Sequence, residues 1–159
     1  MTPDISLRPL QELDLPFLYR VYASTREDEL SVVPWSTEQK TGFLRMQFEA
    51  QHAYYQQQFP GASYEIVLVN GKPAGRLYVD RRQDEIRIID IALLPEYRGK
   101  GTGSELLQGI LREARSLQVP TRIHVESNNP AMNLYERLGF RKIEEQGVYH
   151  LMEYATPVS

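Results

Sequence analysis

The chain has 159 residues, 42% of them apolar and 25% charged, which fits one globular domain with a sizeable core. A formal net charge of −3 argues against a polyanion-binding surface, so nucleic acid is not an expected partner. Zero cysteines exclude a disulfide framework, a thiolate metal site, a C-x-x-C redox pair and a cysteine nucleophile.

Met1 to Gln11 alternates apolar and polar residues and lacks the apolar run of a signal peptide. Ile5, Leu7 and Pro9 open the chain with a strand. Asp14 caps a helix with Pro16 in its first turn, and Phe17, Leu18, Val21 and Tyr22 give that helix its apolar stripe. The charged segment Arg26 to Glu29 is expected to end it. Ser36 and Gln39 fit a capping box at the head of a long helix over Thr37 to Gln58. Phe43, Leu44, Phe48 and Tyr55 are its expected core face, and Pro60-Gly61 its stop.

A hairpin follows, Tyr64 to Val69 and Pro73 to Asp80, around an Asn70-Gly71 type I′ turn. Arg82 to Asp84 turns the chain into Glu85 to Leu94, which is apolar on both faces and reads as a central strand. Arg87 and Asp90 interrupt this longest apolar stretch, which is too short to span a bilayer. A cytoplasmic protein without a membrane partner is the expectation. Pro95 to Gly103 is a glycine-rich loop, and Ser104 to Leu117 an amphipathic helix carrying Leu106, Leu107, Ile110 and Leu111. Thr121 to Glu126 is a strand. Asn128, Asn129 and Pro130 then open a short helix through Leu138, ended by Gly139. Phe140 to Glu144 and Val148 to Tyr154 close the chain as a hairpin. The order β-α-α-β-β-β-α-β-α-β-β indicates one mixed α/β domain over residues 1–159.

Two segments carry chemistry. The loop Arg98-Gly99-Lys100-Gly101-Thr102-Gly103 joins a strand to a helix. Its glycines let backbone N–H groups approach a ligand, and the helix start adds unpaired donors and a positive dipole end. Arg98 and Lys100 add charge, so the loop reads as an anion site. It is not a Walker A loop, because Gly101 follows Lys100, and it lacks the last glycine of the dinucleotide fingerprint. The second segment runs Asn128 to Phe140 as N-N-P-A-M-N-L-Y-E-R-L-G-F, with Tyr135 on the short helix. By itself Tyr135 reads as a core tyrosine. The three histidines, His52, His124 and His150, lie far apart and form no metal-binding spacing.

Together these segments resemble the GNAT superfamily of acetyl-CoA-dependent N-acetyltransferases. Arg98, Gly101 and Gly103 match the family's [QR]-x-x-G-x-[GA] loop, and Asn128, Ala131, Leu134, Tyr135, Gly139 and Phe140 match its N-x-x-A-x-x-L-Y-x-x-x-G-F segment. The resemblance covers Glu85 to Tyr154 closely; residues 1–84 match only in element order. It implies a mixed α/β (α+β) fold with a mostly antiparallel central sheet flanked by helices. It implies acetyl-CoA as co-substrate, no metal, and transfer to an amine acceptor. The loop from Arg98 to Gly103, including Gly99, Lys100 and Thr102, would hold the pyrophosphate. Ile91, Ala92 and Leu93 would present strand backbone to pantetheine, beside a slot opened by divergence of the next strand. Asn128 is favoured over Asn129 for the cofactor, Asn129 being the natural cap before Pro130.

The resemblance also gives Tyr135 a hydrogen bond or proton to donate to the CoA sulfur. The Leu93 N–H would stabilise the oxyanion. With no cysteine, direct attack in a ternary complex is the simplest scheme. Glu126 is favoured as general base over Asp90 and His124, with a water chain as the alternative. Glu27, Asp28, Glu29, Trp35, Gln47, His52, Tyr54 and Tyr55 lie on the segment expected to cover the acceptor, and suit a cationic amine; a solvated charge run with a packed helix face is the alternative. A small-molecule amine is favoured. A protein N-terminus, a non-catalytic acyl-CoA-binding module and an interaction domain stay open. So does a homodimer through the C-terminal strand Val148 to Tyr154, read as exposed.

Overall fold

The computed structural model describes residues 3–157. Its strands are β1 (Ile5–Pro9), β2 (Ser63–Val69), β3 (Lys72–Arg81), β4 (Ile86–Leu93), β5 (Thr121–Glu126), β6 (Arg141–Gln146) and β7 (Tyr149–Tyr154). Its helices are α1 (Leu15–Ser31), α2 (Thr37–Gln58), α3 (Thr102–Leu117) and α4 (Met132–Leu138). The strands form a seven-stranded sheet in the order β1-β2-β3-β4-β5-β7-β6. β1 with β2, β5 with β7 and β6 with β7 are antiparallel, whereas β4 and β5 are parallel. A parallel neighbour needs a crossover, and α3 supplies it. No described helix is long and apolar enough to cross a membrane.

The chain divides into two compact units. The first holds the described residues up to Leu77, with Ala92–Tyr97. Here Asn70 and Gly71 take φ of 52° and 81°, the two positive values a type I′ turn requires. The turn is pinned further by the Asp4 N–H, which donates to Asn70 Oδ1 at 2.9 Å. Ser36 and Gln39 form the capping box reciprocally, at 3.1 and 2.9 Å. Helices α1 and α2 meet through aromatic rings: Phe48 lies 5.9 Å from Tyr19 and 6.1 Å from Tyr22. Phe48 is the buried residue of α2; Phe43, Leu44 and Tyr55 are half-buried.

Two sequence expectations change in this unit. Arg26 to Glu29 does not end α1, which runs on to Ser31. Arg26 and Glu29 pair at 3.2 Å one turn apart, so opposite charges on one face support the helix. Asp14 does not cap α1 with its side chain. It closes a 3-10 turn over Glu12–Asp14, accepting from the Gln11 N–H and from Arg8, each at 2.8 Å.

The second unit holds Tyr78–Ile91 and the described residues from Arg98 onward. Helix α3 buries Thr102, Leu106, Leu107, Ile110, Leu111 and Ala114, a continuous stripe at helical spacing. On β5, Thr121, Ile123 and Val125 are buried, and alternation turns Arg122, His124 and Glu126 to the other face. The C-terminal strand is also corrected. β7 lies between β5 and β6, and the edge is β6, all six residues of which are exposed. The last hairpin inserts its second arm beside β5, so chain order does not give sheet order. A register shift between Lys142 and Glu144 kinks that edge.

Candidate active site

The loop after β4 has the backbone of an anion cradle. Gly99 and Gly101 take φ of 72° and 84°, a region L side chains avoid. A Cβ built on either meets nothing within 4 Å, so the surface beside them is open to a ligand. Gly101 precedes α3 as its N-cap, and the first helical bond runs from Glu105 N–H to Gly101 O at 3.0 Å. The preceding amides of Thr102, Gly103 and Ser104 have no carbonyl four residues back within the helix. Helix α3 begins two residues earlier than the sequence suggests, which carries Thr102 and Gly103 from the loop into its first turn. Thr102 is buried, whereas Arg98 and Lys100 are exposed beside the cradle. Gly103 brings α3 against α4: its Cβ position lies 3.8 Å from Leu134.

Beside the loop, β4 leaves β5. The ladder runs from Ile86↔Thr121 through Arg87↔Arg122 to Ile88↔Ile123. Beyond Ile88, β5 continues with β7 through Glu126↔Tyr149. The later half of β4, including Ile91, is half-buried. A strand edge released from its neighbour offers N–H and C=O groups to an extended ligand. Ala92 and Leu93 belong to the first unit, where Leu94 N–H donates to Ala74 O at 2.8 Å. A Cβ on Gly75 would stand 2.2 Å from Ala92 O and 2.9 Å from Leu93 Cα. Sequence reasoning passed over Gly75; its signal was a lone glycine inside a strand, which marks close backbone approach.

Tyr135 is 4% exposed on α4 and meets Phe140 edge-on at 5.7 Å. Burial, and secondarily the carboxylate of Asp90, push its phenol pKa upward. The phenol therefore stays protonated at working pH and is a hydrogen-bond donor. The structure thus sets Asp90 within electrostatic reach of Tyr135. Glu126 ends β5 half-buried, on the face of Arg122 and His124. Tyr135 makes no hydrogen bond to Glu126 among the described residues.

His124 is held at both ring nitrogens: Nδ1 lies 3.1 Å from Arg87 Nη1 and Nε2 lies 3.0 Å from Gln146 Oε1. A guanidinium only donates, so Nδ1 accepts and Nε2–H donates. Burial first, and Arg87 next, lower the imidazole pKa. His124 is a neutral member of a polar chain, its lone pair already engaged. The chain continues through Arg87 to Glu85 at 3.1 Å, Arg122 to Glu85 at 3.4 Å and Arg122 to Glu153 at 2.8 Å.

The two asparagines differ. Asn129 Oδ1 accepts from the Ala131 N–H at 2.8 Å. Helix α4 starts only at Met132, so Asn129 closes an Asx turn ahead of the helix and is not its N-cap. The exposed Asn128 side chain makes no hydrogen bond among the described residues.

In the first unit, Glu27, Asp28, Glu29, Gln47 and Tyr54 are exposed. Trp35 lies edge-on to Phe43 at 5.4 Å, Tyr55 is half-buried, and His52 stacks on Phe48 at 5.9 Å. Burial, then Arg76, lower the His52 pKa. Arg76, a cation 3% exposed inside an apolar strand, donates to Gln51 at 3.0 Å. Sequence reasoning missed it, because the run Ala74 to Val79 reads as core.

A glycine loop and a helix N-terminus thus lie beside a parallel strand pair whose ladder ends at Ile88, in a mixed α/β fold. Residues 19–140 match the Acetyltransferase (GNAT) family, and the chain belongs to it. It is 35% identical over 60 residues to an N-alpha-acetyltransferase of Sulfurisphaera tokodaii, 36% of each chain. It is 32% identical over 87 residues to a putative [ribosomal protein bS18]-alanine N-acetyltransferase of Bacillus subtilis, 52% of this chain and 56% of that one. The chain thus spans about a third to about a half of the length of these curated relatives. The PaiA N-acetyltransferase of Thermoplasma acidophilum, solved in complex with coenzyme A, superposes with a TM-score of 0.72 at 18% identity, over 96% of this chain and 99% of that chain. The ribosomal-protein-S18-alanine N-acetyltransferase of Escherichia coli superposes with a TM-score of 0.64 at 21% identity, over 98% and 97%. These likenesses show the fold.

Proposed function

We propose that the protein transfers the acetyl group of acetyl-CoA to a primary amine by direct attack. The observation that carries this reading is a buried, protonated Tyr135 in the same unit as the open glycine cradle. Backbone amides at the start of α3, with Arg98 and Lys100, suit the pyrophosphate charge. Gly99 and Gly101 leave it room, and Thr102 and Gly103 continue the cradle. The edge of β4 at Ile91, continued by Ala92 and Leu93, is assigned to pantetheine. Asn128 is assigned to the cofactor; Asn129 already holds the Ala131 amide.

In the transfer step a neutral amine attacks the thioester carbonyl. A C–N bond forms, the C–S bond breaks, and the Leu93 amide is assigned to the oxyanion. Tyr135 donates a hydrogen bond from its phenol to the departing thiolate, which takes its proton from solvent. Glu126 takes the proton lost by the amine, directly or through water. Burial raises the phenol pKa above that of an ordinary thiol, so the donation stays a hydrogen bond as the C–S bond breaks.

The acceptor is assigned as a small amine; the aromatic residues between Trp35 and Tyr55 suit a cationic one. A second reading, a protein N-terminal α-amine, is favoured by the names of the relatives from S. tokodaii and B. subtilis. Turnover of acetyl-CoA against a panel of small amines and alanine-, serine- and methionine-initiated peptides, read by free-thiol release and product mass, decides between them. Tyr135→Phe is expected to lower kcat by roughly 10- to 1,000-fold while CoA affinity is kept. An unchanged kcat removes Tyr135 from the chemistry. CoA binding without turnover on any amine overturns the enzyme reading in favour of an acyl-CoA-binding module.

A further inference from the structure

We infer a second anion site, in the groove between α3 and α4, that takes a ligand carrying two or more phosphate charges. The groove has a volume of about 310 Å³ and is lined by Gln108, Leu111, Arg112 and Arg115 of α3, Arg137 of α4, and Tyr154 at the end of β7. Gln108, Arg112 and Arg115 are spaced four and three apart, so one stripe of α3 presents them together. Arg137 brings a third guanidinium from the facing helix, and among the described residues no carboxylate lines the groove.

The partners these cations have are neutral. Arg115 donates to Tyr154 Oη at 3.5 Å, and Arg137 Nε to Asn133 O at 3.4 Å. Arg112 has no hydrogen bond or ion pair among the described residues. The negative end of each helix dipole accounts for a cation in its last turn, Arg115 on α3 and Arg137 on α4. It does not account for Arg112, or for three arginines meeting at one concave surface. Three like charges gathered without a counter-charge repel one another, and a multivalent anion relieves that repulsion. Guanidinium forks match phosphate oxygens two at a time. Tyr154 Oη and the Gln108 amide add neutral partners.

The floor of the groove is set firmly. The Tyr154 ring packs 6.0 Å from Phe140, and its Cε2 lies 3.1 Å from where a Cβ on Gly139 would stand. The site is also remote from the glycine cradle. Arg112 follows Thr102 by ten residues, which at a rise of about 1.5 Å per residue is about 15 Å along α3. The inference does not depend on the acetyl-transfer reading.

The test is calorimetric titration of the full chain with inorganic triphosphate at matched ionic strength, with and without saturating CoA. Binding is expected in both arms. Arg112→Gln and Arg137→Gln are each expected to weaken it about 10-fold, with thermal midpoint and circular dichroism unchanged. Absence of binding at millimolar triphosphate overturns the site. Affinity unchanged in Arg112→Gln overturns it too. Loss of triphosphate binding in the CoA arm overturns a separate site, because the phosphates of CoA itself then fill the groove. If CoA fails to bind, the acetyl-transfer reading fails, while the arginine variants still decide the groove.

Discussion

Helices α2 and α3 are the longest helices of their respective units, and they are held in opposite ways. Six of the sixteen residues of α3 are buried, five of them in the run Leu106 to Ala114. Of the 22 residues of α2 only Phe48 is buried. Helix α3 is fixed by the hydrophobic effect along a continuous stripe. Helix α2 is fixed by its end and by rings: the Ser36–Gln39 box, the Tyr19–Phe48 and Trp35–Phe43 contacts, and the Phe48–His52 stack. The cradle proposed for the cofactor needs amides held in one geometry, which suits a helix held along a buried stripe. A helix with little buried surface can change its outward side chains at low cost to stability.

That contrast can be broken by mutation. Leu107 is 1% exposed on α3, and Leu107→Ala is expected to destabilise by about 2–5 kcal/mol in denaturant unfolding. Met46→Ala, at a position on α2 that is 58% exposed, should stay within about 0.5 kcal/mol. Equal losses for the two would end the comparison. Gly75→Ala is next in size. Its Cβ would meet Ala92 O, and about 1–3 kcal/mol of strain is expected, with weaker acetyl-CoA binding as β4 shifts. A thermal midpoint and CoA affinity like those of the parent protein would show that β4 yields freely there.

Ser36→Ala removes one arm of the capping box and should cost about 1 kcal/mol, seen as a lower urea midpoint. Because α2 has so little burial, the loss should appear first as hydrogen exchange in its leading turn. The smallest effect expected is a slope. Burial raises the Glu85 pKa, but Arg87, Arg122 and Arg82 outweigh it and hold the carboxyl below its ordinary value. A carboxylate with a depressed folded pKa stabilises the fold above its unfolded pKa, and the contribution is lost as pH falls through the folded value. The thermal midpoint should therefore decline below about pH 4.3. Glu85→Gln should flatten that decline; a parallel decline in the variant would place the acid sensitivity elsewhere.

Much of this molecule is local in origin. The Asn70-Gly71 turn, the Ser36–Gln39 box and the glycine loop were legible because each is encoded within a few residues. The pairing of the loop with the Asn128 to Phe140 segment was legible as spacing. Element boundaries moved where charge or turn chemistry was ambiguous, as at Arg26 to Glu29 and at Asp14. The α2 core face was overstated, since periodic apolar residues show which face can be buried and not whether anything covers it.

The sequence by itself determined the order of elements, the glycine loop and the family, because helix caps and tight turns depend on neighbouring residues. Tertiary structure alone decided that β7 lies inside the sheet and β6 at its edge. It placed Asp90 near Tyr135, engaged both nitrogens of His124, set Gly75 against Ala92, and gathered Arg112, Arg115 and Arg137 at one groove. Those relations join residues far apart in the chain, through strand order and helix packing. No sequence period carries that information: it is fixed only when the whole apolar surface is buried at once.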